Sequence, residues 1–154
     1  MDGIASADGR SSGSGTPQLV MVIDDDPEMR AVLRDLLTRE GFRVHEEAGG
    51  EHAIPSIEGL QPDVVVVDKE MPGANGLDLV SYIGRRHPGV PVILVTAFGG
   101  AATHTEAMRR GAAGYLEKPF RVAQLVDMLR HVTRREALGP RSASTSHHMK
   151  GRHE

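Results

Sequence analysis

The stretch from Pro62 to Gly73, PDVVVVDKEMPG, contains the strongest strand signal in the chain. Four consecutive valines are typical of a strand buried on both faces, because β-branched side chains suit a pleated sheet and no polar residue interrupts the run. Asp68 follows the valines at once, and a Pro-Gly turn ends the stretch. The sequence therefore predicts a central strand that ends in a single carboxylate.

Further apolar runs lie on both sides of this strand, and helical patterns separate them. Strands are predicted in QLVMVI, FRVHEEA, VPVILVTAFGG and AGYLEKPF, of which the alternating FRVHEEA is expected nearer an edge. Helices are predicted in PEMRAVLRDLLTREG, GEHAIPSIEGL, GLDLVSYIGRRHPG, ATHTEAMRRGA and RVAQLVDMLRHVTRREA. Strands alternating with helices indicate an α/β fold, in which helices cover both faces of a parallel sheet.

Several residues carry expectations about where helices begin and end. Pro27 suits the first turn of the first helix, Asp26 favours its start, and Gly41 marks its end. Pro55 lacks an N–H, so the second helix is expected to start late or to be short and distorted. Asn75 is interpreted as a turn residue that tolerates left-handed geometry.

Composition excludes several classes of function. The 154 residues carry a net charge of −3 and no Cys, so a basic nucleic-acid-binding surface, disulfides and thiolate metal sites are not expected. The eight histidines show no zinc-ligand spacing. No apolar run approaches the roughly 20 residues that cross a bilayer, and the expected location is cytoplasmic. We expect a disordered leader, one domain and a disordered polar tail at 1–17, 18–138 and 139–154.

Reactive side chains stand at the ends of four predicted strands: Asp24 to Asp26, Asp68, Thr96 and Lys118. Ligands of open α/β sheets bind outside the carboxyl ends of the strands, so these groups are expected to meet. Each alone has an ordinary structural explanation, as a capping acid, a strand-end hydroxyl or a surface lysine. Together they suggest phosphoryl transfer, with Asp68 as the candidate nucleophile and Mg²⁺ as the fitting cation.

The motifs VIDDDP, VVVVDKEMPGANGLDL, VTA and GYLEKPF occur in an order and at spacings that resemble a response-regulator receiver domain of two-component signalling. The resemblance covers about Gln18 to Leu138. It implies a flavodoxin-like (βα)5 three-layer sandwich with a five-stranded parallel sheet in the order 2-1-3-4-5. It also implies a stand-alone regulator of the chemotaxis or sporulation type.

The same resemblance implies roles for the strand-end residues. Asp68 would accept the phosphoryl group, Thr96 and Lys118 would bind its oxygens, and the bond between Lys118 and Pro119 would be cis. Mg²⁺ is the only cofactor implied. Its ligands would be Asp24, directly or through water, together with Asp25, Asp68 and the backbone carbonyl of Glu70.

A switch is implied as well. Thr96 would be drawn to the phosphoryl group and Tyr115 would turn inward, which would remodel the face made by the fourth helix, fifth strand and fifth helix. Ala97 leaves room for a bulky donor. The Glu70 side chain adds negative charge near the metal, so we expect it to slow phosphorylation by small donors.

Three hypotheses about function follow. The first is a signalling phosphoacceptor that catalyses only its own phosphorylation and dephosphorylation. Its donor would be a histidine kinase or phosphotransfer protein, and it would dock an unknown downstream protein, without nucleic acid or membrane, as a monomer or phosphorylation-dependent dimer. The second is a haloacid-dehalogenase-like phosphatase with Asp24 as nucleophile and Asp26 as acid. The third is a degenerate receiver that only binds partners.

Overall fold

The computed structural model describes residues 16–134, in which five strands form a parallel sheet. The strands run in the order β2-β1-β3-β4-β5, which confirms the predicted α/β class and the 2-1-3-4-5 order. Their bounds are β1 Leu19–Ile23, β2 Arg43–Glu47, β3 Val64–Asp68, β4 Val92–Thr96 and β5 Gly114–Glu117. The valine run thus lies at the centre of the sheet, where Val66 pairs with Val22 on one side and Ile93 on the other.

Helices cover both faces of this sheet and give three layers. They are α1 Pro27–Arg39, α2 Gly50–Leu60, α3 Gly76–Arg86, α4 Ala101–Arg109 and α5 at residues 122–134. A two-residue hairpin, Glu70–Met71 paired with Ala74–Asn75, connects β3 to α3. These bounds agree with the predicted alternation of strands and helices.

Strand periodicity divides the core between the two faces. Val65 and Val67 pack with residues of α2, α3 and α4, whereas Val64 and Val66 pack with residues of α1 and α5. Every residue of β1, β3 and β4 is buried, whereas β2 is partly exposed at the edge, as its alternating sequence predicts. Burial of both faces explains why the central strands tolerate almost no polar residue before their last position.

The first helix begins and ends as the sequence predicts. Asp26 is its N-cap, and the side chain accepts a hydrogen bond from the Glu28 N–H at 3.0 Å. Pro27 occupies the first turn, where its missing N–H has no intrahelical partner to lose. Gly41 follows the helix with φ of 99°, a conformation that suits glycine.

Two local predictions are wrong. The late start of the second helix is wrong, because the helix begins at Gly50 and Pro55 lies inside it. Pro55 is exposed, as is Glu51, whose carbonyl loses its hydrogen-bond partner at the proline, while Ala53 and Ile57 are buried. Distortion of this helix stays a prediction. Asn75 is extended, with φ of −99°, and its side chain accepts from the Leu77 N–H at 2.8 Å. It therefore caps α3, and the left-handed position of this turn falls on Gly73 instead.

The described residues do not include the expected polar tail at 139–154. They include only residues 16 and 17 of the expected leader. Within residues 16–134, none of the helices combines the length and apolarity needed to cross a membrane.

Candidate functional site

Three carboxylates meet where β1 and β3 end. Asp24 and Asp68 are buried, Asp25 is exposed, and one oxygen from each lies within 4.8 Å of the others. The sheet brings them together because β1 and β3 are adjacent parallel strands, whose carboxyl ends share one edge. Carboxylate oxygens in this arrangement are the ligands that a hard divalent cation takes.

A lysine approaches two of these acids from the end of β5. The Lys118 Nζ lies 3.5 Å from Asp68 Oδ1 and 3.6 Å from Asp24 Oδ2. Its backbone N–H donates to the Thr96 carbonyl at 2.8 Å, which extends the pairing of β4 with β5 up to the site. The bond between Lys118 and Pro119 is cis, as the resemblance implies.

The two buried acids are short of compensating charge. Burial, reinforced by the neighbouring Asp24, raises the pKa of Asp68 to about 6, although Lys118 acts in the opposite direction. Burial also raises the pKa of Asp24, whose Oδ1 is held by the Asp26 N–H at 2.9 Å. Asp68 Oδ1 is buried and has no hydrogen-bond partner in the described part of the chain. A cation here would relieve this repulsion, so the donor set fits a metal ion.

The predicted hydroxyl, Thr96, is fully buried at the end of β4 and bonded to an acid on β3's side of the site. Its Oγ1 donates to one carboxylate oxygen of Glu70 and accepts from the Phe98 N–H at 3.0 Å. The Ala97 N–H donates to the other oxygen of Glu70 at 3.0 Å. The sequence predicts a backbone ligand and an added negative charge at Glu70, but it does not indicate these side-chain contacts.

Glu70 differs from Asp68 in its electrostatic environment. Burial acts to raise the pKa of Glu70, but the hydrogen bonds from Thr96 and Ala97 outweigh it, and the pKa lies below its usual range. Lys69 Nζ adds an ion pair at 3.7 Å from Glu70 Oε2. Both carboxylate oxygens of Glu70 therefore accept hydrogen bonds, whereas Asp68, two residues earlier, has an oxygen that accepts none in the described part of the chain.

The backbone after β3 holds Glu70 in place. The Lys69 N–H donates to the Val95 carbonyl at 2.8 Å, which completes the pairing of Asp68 with Val95 at the end of β3. Gly76 closes the hairpin by donating to the Lys69 carbonyl at 3.0 Å. A Cβ on Gly76 would lie 2.5 Å from the Asp68 carbonyl oxygen, which explains the need for glycine at this close approach.

The predicted switch residue, Tyr115, is half-buried on β5 and belongs to a second hydrogen-bond cluster. Its hydroxyl donates to Glu117 Oε2 at 3.0 Å, and the Gly100 N–H donates to the same oxygen at 2.9 Å. The ring centroid lies 4.7 Å from that of His104 on α4. Glu117 thus links Tyr115 to the residue before α4, a role that the sequence pattern does not indicate.

Comparison with known proteins identifies the family to which this chain belongs. The family model described as response regulator receiver domain matches residues 20–130. The chain belongs to this family. It is 35% identical over 127 residues to the transcriptional regulatory protein TcrA of Mycobacterium tuberculosis, covering 82% of this chain and 50% of that protein. The chain thus spans about half the length of the first curated relatives it matches.

A shorter relative and a solved structure cover the same region. The chain is 34% identical over 116 residues to the chemotaxis protein CheY of Thermotoga maritima, which covers 75% of this chain and 97% of CheY. A crystal structure of a receiver domain protein from Clostridium thermocellum superposes with a TM-score of 0.75 at 27% identity, covering 79% and 98% of the two chains. Receiver domains are signalling phosphoacceptors, so this receiver belongs to two-component signal transduction.

Proposed function

We propose that this receiver accepts a phosphoryl group on Asp68 in a reaction that depends on Mg²⁺. The observation that carries the proposal is the buried Asp68 Oδ1, which has no hydrogen-bond partner among residues 16–134 and lies beside two further carboxylates and the Lys118 ammonium. A buried carboxylate oxygen that accepts no hydrogen bond and faces an ammonium group is placed to act as a nucleophile. The donor would be a histidine kinase, a phosphotransfer protein or a small acyl phosphate.

The transfer step forms one bond and breaks one. An oxygen of the Asp68 carboxylate attacks the phosphorus of the donor, and the bond from phosphorus to the donor's nitrogen or oxygen breaks. The bonding electron pair leaves with the imidazole or acetate, and the product is an acyl phosphate on Asp68. Lys118, already 3.5 Å from Asp68, would bind a phosphoryl oxygen by a charge-assisted hydrogen bond.

The acidic cluster supports the metal part of the proposal. Receiver domains use Mg²⁺. Asp24, Asp25 and Asp68 would supply carboxylate oxygens to the ion, and the Glu70 backbone carbonyl is the further ligand that we propose. When bound, Mg²⁺ would neutralise charge that develops on the phosphoryl oxygens. The bound cation would also offset the burial and the repulsion from Asp24 that together raise the pKa of Asp68.

The output would arise at the face formed by α4, β5 and α5. Thr96 would bind the phosphoryl group, and Tyr115, now tied to Glu117, would change position. The remodelled face would dock a downstream protein, by itself or as a phosphorylation-dependent dimer. The proposal includes slow self-dephosphorylation, a cytoplasmic location, a receiver over residues 18–138, and function of this chain without nucleic acid or membrane.

The phosphatase alternative gains no support from the family match. Its acid, Asp26, is engaged as the N-cap of α1. Its nucleophile, Asp24, accepts a hydrogen bond through Oδ1 and lies 3.6 Å from Lys118 through Oδ2. Asp68 would have no role in that reaction, whereas the receiver chemistry uses every member of the cluster.

Intact-mass measurement of the full chain tests the proposal. After incubation with acetyl phosphate and Mg²⁺, the wild type should gain one phosphoryl adduct, and a chelator should prevent it. Asp68→Asn should gain none, whereas Glu28→Gln, which removes an exposed acid from α1, should behave as wild type. An adduct that survives in Asp68→Asn but is lost in Asp24→Asn would favour the phosphatase. No adduct from acetyl phosphate or a kinase, and no response to beryllofluoride, would favour a partner-binding receiver.

A further inference from the structure

We propose that the Glu70 side chain competes with the phosphoryl group for two hydrogen-bond donors at the end of β4, which the Glu70 carboxylate occupies in this structure. This inference rests on the proposed function and extends it. It names a positioning residue, one that acts through Thr96 and Ala97 and sets how readily the site accepts a phosphoryl group.

Each of the two donors has one hydrogen to give. The Thr96 hydroxyl donates to Glu70 Oε2 and already accepts from the Phe98 N–H. The Ala97 N–H donates to Glu70 Oε1 at 3.0 Å. A hydroxyl has one O–H and a peptide one N–H, so neither donor can serve a phosphoryl oxygen without releasing Glu70. The carboxylate presents two anionic oxygens to this pair, as a phosphoryl group would.

The position of Glu70 follows from the backbone on both sides of it. The Lys69 N–H donates to the Val95 carbonyl at 2.8 Å, and the Lys69 carbonyl accepts from the Gly76 N–H at 3.0 Å. Glu70 itself pairs with Asn75 in the hairpin that follows β3. These contacts anchor the backbone of Glu70 beside the end of β4, where its carboxylate accepts from Thr96.

Transfer then becomes an exchange of partners. The Glu70 side chain must release Thr96 and Ala97 before these can bind the new phosphoryl oxygens. Since two hydrogen bonds are exchanged, removal of the competitor should tighten binding of a phosphoryl mimic by about tenfold. This gives a structural reason for the expectation that Glu70 slows phosphorylation by small donors.

NMR of the ¹⁵N-labelled full chain tests both halves of the proposal. The amide signals of Ala97 and Phe98 report the hydrogen bonds, and titration with beryllofluoride in saturating Mg²⁺ reports the affinity for a phosphoryl mimic. Four proteins are compared: the wild type, Glu70→Ala, Glu70→Gln and the matched charge control Glu28→Gln. Glu70→Gln keeps an amide oxygen that can accept from Thr96 but loses the charge and the second acceptor.

The expected results differ for each variant. Glu70→Ala should shift the Ala97 amide to higher field without ligand and should bind beryllofluoride about tenfold more tightly than the wild type. Glu70→Gln should fall between the two, and Glu28→Gln should match the wild type.

Three results would overturn the proposal. An unchanged Ala97 amide signal in Glu70→Ala would show that the hydrogen bonds from Thr96 and Ala97 to Glu70 do not form in solution. Unchanged beryllofluoride affinity in that variant would show that Glu70 does not compete. Equal gains in Glu70→Gln and Glu70→Ala would show that charge alone sets the effect. If the wild type and all variants fail to bind beryllofluoride, the proposed phosphoacceptor function fails first, and the inference fails with it.

Discussion

Asp68 and Glu70 lie two residues apart at the same edge of the sheet, yet their environments are opposite. Asp68 is buried beside another acid, one of its oxygens lacks a hydrogen-bond partner in the described chain, and its pKa is raised to about 6. Glu70 accepts from Thr96 and Ala97, and its pKa is lowered. The comparison teaches that one acid is held at a cost in stability that a cation or phosphoryl chemistry would relieve, while the other stabilises the resting structure.

The largest effect on stability is expected at Gly76, which packs against the backbone between Asp68 and Glu70. Gly76→Ala should lower the free energy of unfolding by about 3 kcal/mol, because its Cβ would meet the backbone of Asp68 and Lys69. Chemical denaturation measures the change. Gly59→Ala on α2, where a Cβ meets nothing within 4 Å, is the control and should be neutral or slightly stabilising. Equal stability of the two variants would contradict the close packing at Gly76.

The next effect tests the cost assigned to Asp68. Without metal at pH 7, Asp68→Asn should raise the free energy of unfolding by about 2 to 3 kcal/mol, since the shift is about two pKa units and each unit corresponds to about 1.4 kcal/mol. Denaturant titration in chelator measures it. Added Mg²⁺ should stabilise the wild type more than the variant, so the difference between their free energies of unfolding should become smaller. A variant that is less stable than the wild type without metal would break the contrast with Glu70.

The pH dependence of the same pair gives the sign. The folded pKa of Asp68 is raised from 3.8 to about 6, so the folded protein binds more protons than the unfolded chain between these values. The contribution of Asp68 is therefore complete below pH 3.8 and is lost as the pH rises to about 6. The advantage of Asp68→Asn should grow over this window and then level off. Denaturation in metal-free buffers from pH 4 to pH 7 measures this difference in stability. A difference that stays constant over the range would contradict the assignment.

A smaller effect of opposite sign is expected at Glu70. Glu70→Gln should lower the free energy of unfolding by about 1 kcal/mol, because a charged acceptor and one hydrogen bond are lost. Denaturation under the conditions used for Asp68→Asn gives a direct comparison of sign. Stabilisation by Glu70→Gln would mean that both acids are under repulsion.

The smallest effect is expected from the ion pair between Lys69 and Glu70. Lys69→Ala should change stability by less than about 0.5 kcal/mol, because a pair at 3.7 Å with partly exposed partners contributes little. Its amide signals at Ala97 should remain as in the wild type. A loss comparable to that of Glu70→Gln would show that Lys69, rather than the two donors on β4, holds the Glu70 side chain.

The sequence predicted the fold and the meeting of strand ends well, for a physical reason. Unbroken apolar runs such as the four valines require burial on both faces, and parallel strands place their last residues at one edge. The sequence alone could therefore predict that Asp68 and Thr96 lie at the same edge of the sheet. Asp26 and Gly41 were also predicted correctly, since caps depend on a few adjacent residues.

The missed features depend on information that is not local. Pro55 sits inside a helix because Ala53 and Ile57 pack against the sheet, and this burial offsets the lost hydrogen bond. The contact from Glu70 to Thr96 depends on the register between β3 and β4, which the sequence does not contain. The available signal was the position of Glu70 itself, an acid two residues after the end of β3.

Locating the phosphoryl group by chemical trapping tests the central claim most directly. The chain is phosphorylated with acetyl phosphate and Mg²⁺, and borohydride then reduces the acyl phosphate to an alcohol, which marks the acceptor for peptide mass spectrometry. The account predicts the reduced side chain at position 68 and an unchanged acid at positions 24 and 70. A reduced side chain at position 24, with Asp68 intact, would contradict it.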